Sequence, residues 1–117
     1  MIKITDFNHA IEKDKLIENK FKGICGTPWF KAPEILLDMP YDEAVDVWSL
    51  GCVFQYMLTG DCIFFRAKNR AEKLNENKKR EIQLMDIFKK LGLPTNETWE
   101  GIESQEKFLS MDKSQAP

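Results

Sequence analysis

Histidine is almost missing from this chain. Of 117 residues only His9 carries an imidazole, and the three cysteines, Cys25, Cys52 and Cys62, form no C-x-x-C pair. A zinc or transition-metal cluster built from closely spaced His and Cys ligands is therefore not expected. An odd number of cysteines without close spacing points instead to reduced thiols and a cytoplasmic or nuclear compartment. No apolar run approaches the roughly 20 residues that a bilayer-spanning helix needs. The first residues, Met1-Ile2-Lys3-Ile4-Thr5-Asp6, have neither the basic start nor the apolar stretch of a secretory leader. No membrane partner is expected. Charge of one sign is lacking too: 17 Lys and Arg face 19 Asp and Glu, a net charge of −2. Such a balance gives no broad attraction for nucleic acid. The six glycines nowhere form the G-x-G-x-x-G pattern that cradles phosphate.

What is present is a helical pattern with a buried character. Ile2-Lys3-Ile4-Thr5 alternates and predicts a short strand. A polar loop follows from His9 to residue 22. Pro33 suits a first helical turn, where its missing N–H costs nothing, and predicts a short helix from Ala32 to Leu37. The main helix is expected over residues 42–58, opened by acidic Asp42 and Glu43 and closed by Gly60. Its apolar positions, from Val45, Val47 and Trp48 to Phe54, Met57 and Leu58, cover every face of the wheel. A helix apolar all round belongs inside a larger body, so exposed apolar surface is expected where that body is not there to cover it. Residues 66–81 hold seven basic and three acidic side chains and predict a solvated insertion. A second helix is expected over 82–91, with Ile82, Met85, Phe88 and Leu91 on one stripe and Leu84 and Ile87 beside it; Gly92 and Pro94 end it. Residues 95–117 are weakly patterned.

Three short motifs then fall in a telling order. They are Asp6-Phe7-Asn8, Ala32-Pro33-Glu34, and Asp46-Val47-Trp48-Ser49-Leu50-Gly51. The middle one sits in Gly26-Thr27-Pro28-Trp29-Phe30-Lys31-Ala32-Pro33-Glu34-Ile35-Leu36-Leu37, which closely resembles the GTxWYRAPEILL stretch of cyclin-dependent kinases. Residues 87–95 and 97–102 resemble the IFxxLGTP and ExWPG stretches of the same group. The resemblance implies a mainly α-helical chain, part of the larger lobe of the protein kinase fold, with one or two short strands at its N-terminus. It divides the chain into a DFG-like segment (6–8), an activation segment (9–34), a central helix, a basic insertion, a following helix and a tail (103–117).

Roles follow from the same resemblance. Asp6 is expected as the Mg²⁺ ligand and Phe7 as the ring packed beneath it, with ATP and Mg²⁺ the cofactors of the intact parent domain. Asn8 stands where the family has glycine, and asparagine is the non-glycine residue best suited to a positive φ. Gly26, Thr27, Pro28, Trp29, Phe30 and Lys31 are expected to receive the protein substrate, with Thr27 orienting the catalytic aspartate. Glu34 is expected to pair with an arginine of a late helix, Asp46 to hold the catalytic loop, and Trp48 to pack in the core; Ala32, Pro33 and Gly51 complete the motifs. The implied activity is transfer of the ATP γ-phosphate to protein Ser or Thr, with a cyclin-like subunit as partner. Between Thr5 and Thr27 there is no Ser, Thr or Tyr, so activation by phosphate in this loop is not expected. The glycine-rich clamp, the lysine-bearing strand and the H-R-D catalytic loop are not among these residues; the base is expected before Met1 and the arginine beyond Pro117. The chain alone is thus expected to be inactive. The alternative reading is a non-catalytic kinase remnant that scaffolds partners.

Overall fold

The computed structural model describes residues 1–12, 23, 25–64 and 74–114. Among them the regular elements are helical: α1 (Pro33–Leu36), α2 (Ala44–Thr59), α3 (Glu76–Leu91) and α4 (Glu106–Ser110), with 3₁₀ turns at Phe7–His9, Pro28–Phe30 and Ile102–Ser104. Residues 13–22 of the expected activation segment and 66–73 of the expected basic insertion lie outside the described residues.

Four expectations need correction. The strand over Ile2–Thr5 is not formed; these residues are irregular and exposed. A lone strand has no ladder to satisfy its N–H and C=O groups, and no described segment pairs with it. Helix α3 begins at Glu76, within the stretch read as insertion. The missed signal is Asn75, whose side-chain oxygen accepts the Lys78 backbone N–H at 2.9 Å, with Glu76 in the first turn. The covered stripe of α3 also sits further round than expected, centred on Leu84, Ile87 and Phe88, while Leu91 is exposed. Finally, the tail is specified. Ile102, Phe108 and Met111 are all buried, too irregularly spaced to register as a period.

One terminus explains how a short helix holds its place. The chain after α1 turns with Asp38 at φ 62. The Asp38 N–H then bonds the Ile35 carbonyl and the Met39 N–H bonds the Glu34 carbonyl, at 3.2 and 2.9 Å. That pair of bonds is a Schellman ending, built here on aspartate, one of the few non-glycine residues that enter this region readily. The Asp38 carboxylate meets Lys107 of α4 at 3.0 Å. Helix α2 is closed by Gly60 at φ 75, whose N–H bonds the Tyr56 carbonyl at 2.8 Å. Its start is capped by Asp42, which accepts the Ala44 N–H at 2.9 Å.

The main core gathers Leu36 and Leu37 of the α1 region, Cys52 of α2, Phe64, Leu84, Ile87 and Phe88 of α3, and Ile102, Phe108 and Met111 of the tail. A smaller cluster joins Ala32, Ile35, Tyr41 and Val45, with Trp48 packed against both. Helix α2 contributes a single stripe to these cores, Val45, Trp48, Ser49, Cys52 and Gln55, spaced as one helical face. Its other apolar residues stand in solvent: Leu50 is 67% exposed, Phe54 63%, Met57 66% and Leu58 71%. The helix expected as a buried axle is covered on one side.

Phe108 anchors the tail. Its ring meets Phe88 edge-on, centroids 5.8 Å apart, and it is 5% exposed. Phe108→Ala should cost about 3–5 kcal/mol, most of the stability of a small domain. The neighbouring exposed residue gives the control, Leu109→Ala changing stability by about 0.5 kcal/mol or less. Urea unfolding followed by far-ultraviolet circular dichroism checks both; equal effects would contradict this packing.

Candidate functional site

The site grows from the turn at Pro28–Phe30. Gly26 adopts φ 81, a left-handed conformation that glycine enters without a Cβ clash, and the chain re-enters extended backbone at Thr27. Pro28 supplies a preset φ for the first position of the turn. The turn closes through the Phe30 N–H to the Thr27 carbonyl and the Lys31 N–H to the Pro28 carbonyl, both 3.2 Å. Gly26, Thr27, Pro28 and Trp29 are exposed; Phe30 and Lys31 are half-buried; Ala32 is fully enclosed. An exposed loop therefore runs directly into a core residue.

Two ties hold that loop. The Ser49 hydroxyl of α2 donates to the Phe30 carbonyl at 2.9 Å, lying equally close to the Val45 carbonyl of its own helix. On the other side, Cys25 Sγ lies 3.5 Å from the Tyr41 hydroxyl. Burial, seconded by Cys25, pushes the Tyr41 hydroxyl up to about 12. Sequence reasoning missed Ser49, Cys25 and Tyr41. Ser49 lies inside the D-V-W-S-L-G run, but only coordinates show its hydroxyl reaching back 19 residues.

The remaining site residues are placed as follows. Glu34, in the first turn of α1, is half-buried; desolvation raises its pKa above 4.5, its own backbone hydrogen bond lowers it, and Asp42 raises it further. No cation pairs with Glu34 among the described residues. Asp46 is exposed in the first turn of α2. Trp48 stacks on Phe64, ring centroids 5.3 Å apart, with its indole N–H enclosed and without a partner. Gly51 is exposed, and no atom would touch a Cβ there.

The DFG-like segment is arranged differently from expectation. The positive φ falls on Asp6, at φ 63, and Asn8 lies inside the 3₁₀ turn, closed by the Ala10 N–H on the Phe7 carbonyl at 3.0 Å. Phe7 was expected to be packed; it is 67% exposed, because no described apolar residue closes over it. The side chains of Asp6, Phe7 and Asn8 make no hydrogen bond or ion pair with the described residues of the turn. The structure thus ties residues 25–34 to α2 and leaves Asp6 on a separate exposed segment. Its free carboxylate can supply one oxygen ligand to a hard cation, but no group of three or more His, Cys, Asp and Glu among the described residues could hold a metal alone.

Comparison with known sequences is decisive at this point. The model of the protein kinase domain family matches residues 1–114. The chain belongs to the protein kinase family. Among curated relatives, the serine/threonine-protein kinase ssn3 of Aspergillus terreus is 34% identical over 99% of this chain and 28% of its own length. Cyclin-dependent kinase 11 of Dictyostelium discoideum is 35% identical over 85% of this chain and 25% of its own length. The cyclin-dependent kinase 4 homolog of Caenorhabditis elegans is 33% identical over 84% and 21% respectively. The chain thus spans about a quarter of the length of the kinases it matches, and it is similar to the cyclin-dependent type.

Two outcomes test this geometry. A folded-state pKa raised above 4.5 means that folded Glu34 holds its proton more tightly than the unfolded chain does. Its contribution to stability is present below 4.5 and lost as pH climbs through the raised value. Glu34→Gln should therefore remove a decline in stability that the wild type shows from acid to neutral pH. Urea midpoints across that range measure it, and parallel curves would contradict it. For the turn, Ser49→Ala should loosen residues 28–31 by about 1 kcal/mol, roughly fivefold faster exchange of the Phe30 and Lys31 amides. Hydrogen-exchange mass spectrometry should show no change at Ile87 of α3; a uniform change would make the effect global.

Proposed function

We propose that this chain supplies the substrate-docking platform and one metal ligand of a serine/threonine protein kinase of the cyclin-dependent type. The observation that supports it best is the Gly26–Lys31 turn, exposed from Gly26 to Trp29, fixed to α2 through Ser49 and continuous with the enclosed Ala32. A fixed and open backbone is what a site needs to hold a peptide hydroxyl in a reactive geometry, since orientation is most of what a phosphotransferase provides. Thr27, exposed at the head of the turn, orients the aspartate base; Gly26 and Pro28 to Lys31 accept the peptide. Asp6, an exposed carboxylate, is one ligand for Mg²⁺ shared with the ATP phosphates, an ion usually held by one or two carboxylates and the substrate. Bound there, Mg²⁺ would neutralise phosphate charge during transfer. Protein substrates and a cyclin-like regulatory subunit are the partners we propose, by likeness to relatives named for cyclin dependence. No helix among the described residues is long and apolar enough to cross a membrane.

The exposed face of α2, with Leu50, Phe54, Met57 and Leu58, favours a second reading, a non-catalytic scaffold. In a protein as long as the relatives, the same face would be covered by the remainder of the lobe. One experiment separates the readings. Protein purified from its native cells is incubated with γ-labelled ATP, Mg²⁺ and serine peptides, beside an Asp6→Asn variant produced identically. The kinase reading expects transfer, reduced about a hundredfold or more in the variant. No transfer by the natural protein would favour the scaffold, and equal transfer by both would remove Asp6 from the metal site.

A further inference from the structure

We infer that Tyr41 is a positioning residue for phosphoryl transfer: through Cys25 it sets where Thr27 stands, and so governs the rate of transfer and not the affinity for the peptide. The inference rests on the docking-turn reading above and gives each half of the turn its own task. Both ends of the turn rest on one small cluster. Ala32, Ile35, Tyr41 and Val45 are buried together, and Cys25, half-buried, packs against them. Cys25 and Ala32 flank the turn, so the chain leaves the protein and re-enters it at the same place.

The two halves are held differently. Phe30 is tied through its carbonyl to the Ser49 hydroxyl at 2.9 Å and packs against the main core. For residues 25–27, the hydrogen bond that reaches outside the turn, among the described residues, is the one between Cys25 Sγ and the Tyr41 hydroxyl, 3.5 Å long. Gly26 follows at φ 81 with no atom near the place of a Cβ, so backbone conformation, not packing, sets its direction. Thr27 stands two residues on from Cys25, about 7 Å away at most. Holding Cys25 therefore restricts Thr27. Burial first, then the bond with Cys25, pushes the Tyr41 hydroxyl up to about 12. It stays protonated, and the contact persists across the neutral range.

Position selects the step that feels the contact. Thr27 orients the aspartate base in the reading above, whereas Phe30 and Lys31 lie where the peptide is accepted. A base slightly out of place slows transfer without changing how tightly the peptide is held. Tyr41 thus acts on the rate, and Ser49, tied to Phe30, acts on peptide affinity. Neither Tyr41 nor Cys25 touches a reacting atom; both act through the backbone of the turn.

The test uses protein purified from its native cells, with γ-labelled ATP, Mg²⁺ and a serine peptide, in single-turnover mixing so that product release does not mask transfer. Tyr41→Phe, which keeps the ring and removes the hydroxyl, should lower the transfer rate about fivefold. The half-saturating peptide and ATP concentrations should stay within about twofold. Cys25→Ala should do the same, the double variant no more, and Cys25→Ser should keep most of the rate. In a Thr27→Ala background, Tyr41→Phe should cost nothing further. Ser49→Ala should instead raise the half-saturating peptide concentration. Tyr56→Phe, the same change at an exposed tyrosine of α2, should leave rate and affinity alone; circular dichroism confirms helix content in each variant. An unchanged rate in Tyr41→Phe, independent losses in the double variant, or a loss of peptide affinity in place of rate overturns the inference and leaves the docking turn intact. So does a rate loss in Ser49→Ala as large as that in Tyr41→Phe. No transfer by the natural protein removes the docking-turn reading and this inference with it.

Discussion

The arrangement hinges on the bond between the Ser49 hydroxyl and the Phe30 carbonyl, 2.9 Å long. It joins an exposed loop to a helix 19 residues further on, whose covered face is already committed to the core. The turn at Pro28–Phe30 is also held by its own two 3.2 Å hydrogen bonds, by Phe30 packed against the main core and by Ala32 sinking into the interior. Through the Ser49 bond, α2 helps to set where the turn stands, and α1, which follows immediately, inherits the placement. The Schellman ending at Asp38 then returns the chain toward Tyr41, whose hydroxyl meets Cys25 on the other flank of the loop. A surface segment of about half a dozen residues is thereby braced from both sides by groups that carry no chemistry of their own.

Where the sequence is legible, the reason is local. Asp42, Gly60, Pro33 and Gly92 each act through a neighbour a few positions away, so their helix boundaries can be read without coordinates. The motif string is legible for a different reason: its order and spacing are family information, and the physics of each residue is invisible until the fold is known. What could not be read is what depends on distant partners. Asn75 caps a helix that the run of Lys, Arg and Glu disguised as an insertion. Phe108 and Met111 are core residues because Phe88 and Leu84 happen to face them, and no period announces that. Phe7 shows the converse, an aromatic ring whose expected burial depends on residues that do not close over it here.

Helix α2 illustrates the gap between composition and packing. Its sequence asks for a covered surface on all sides, and the described residues cover one stripe. The covered stripe carries the motif residues Trp48 and Ser49, and Ser49 meets the Pro28–Phe30 turn whether or not the opposite face is covered. Positioning and burial are thus separable demands on the same helix.

The stripe of α2 that carries Trp48 and Gln55 also borders a cavity of about 580 Å³, lined by Glu34, Trp48, Gln55, Phe64 and Leu91 among others. Inside it the Trp48 indole N–H and the Gln55 Oε1 are enclosed without partners, while the Gln55 Nε2 is occupied by Thr59 at 2.7 Å. Glu34 adds a carboxylate whose pKa is raised chiefly by its own burial and which no described cation neutralises. The Trp48 N–H is a donor and needs an acceptor, whereas Glu34 and the Gln55 Oε1 are acceptors of the kind a guanidinium would satisfy. That is the partner the kinase resemblance assigns to Glu34. The exposed Leu50, Phe54, Met57 and Leu58 do not line this hollow, so the uncovered face of α2 and the unpaired Glu34 carboxylate are separate features of the described residues.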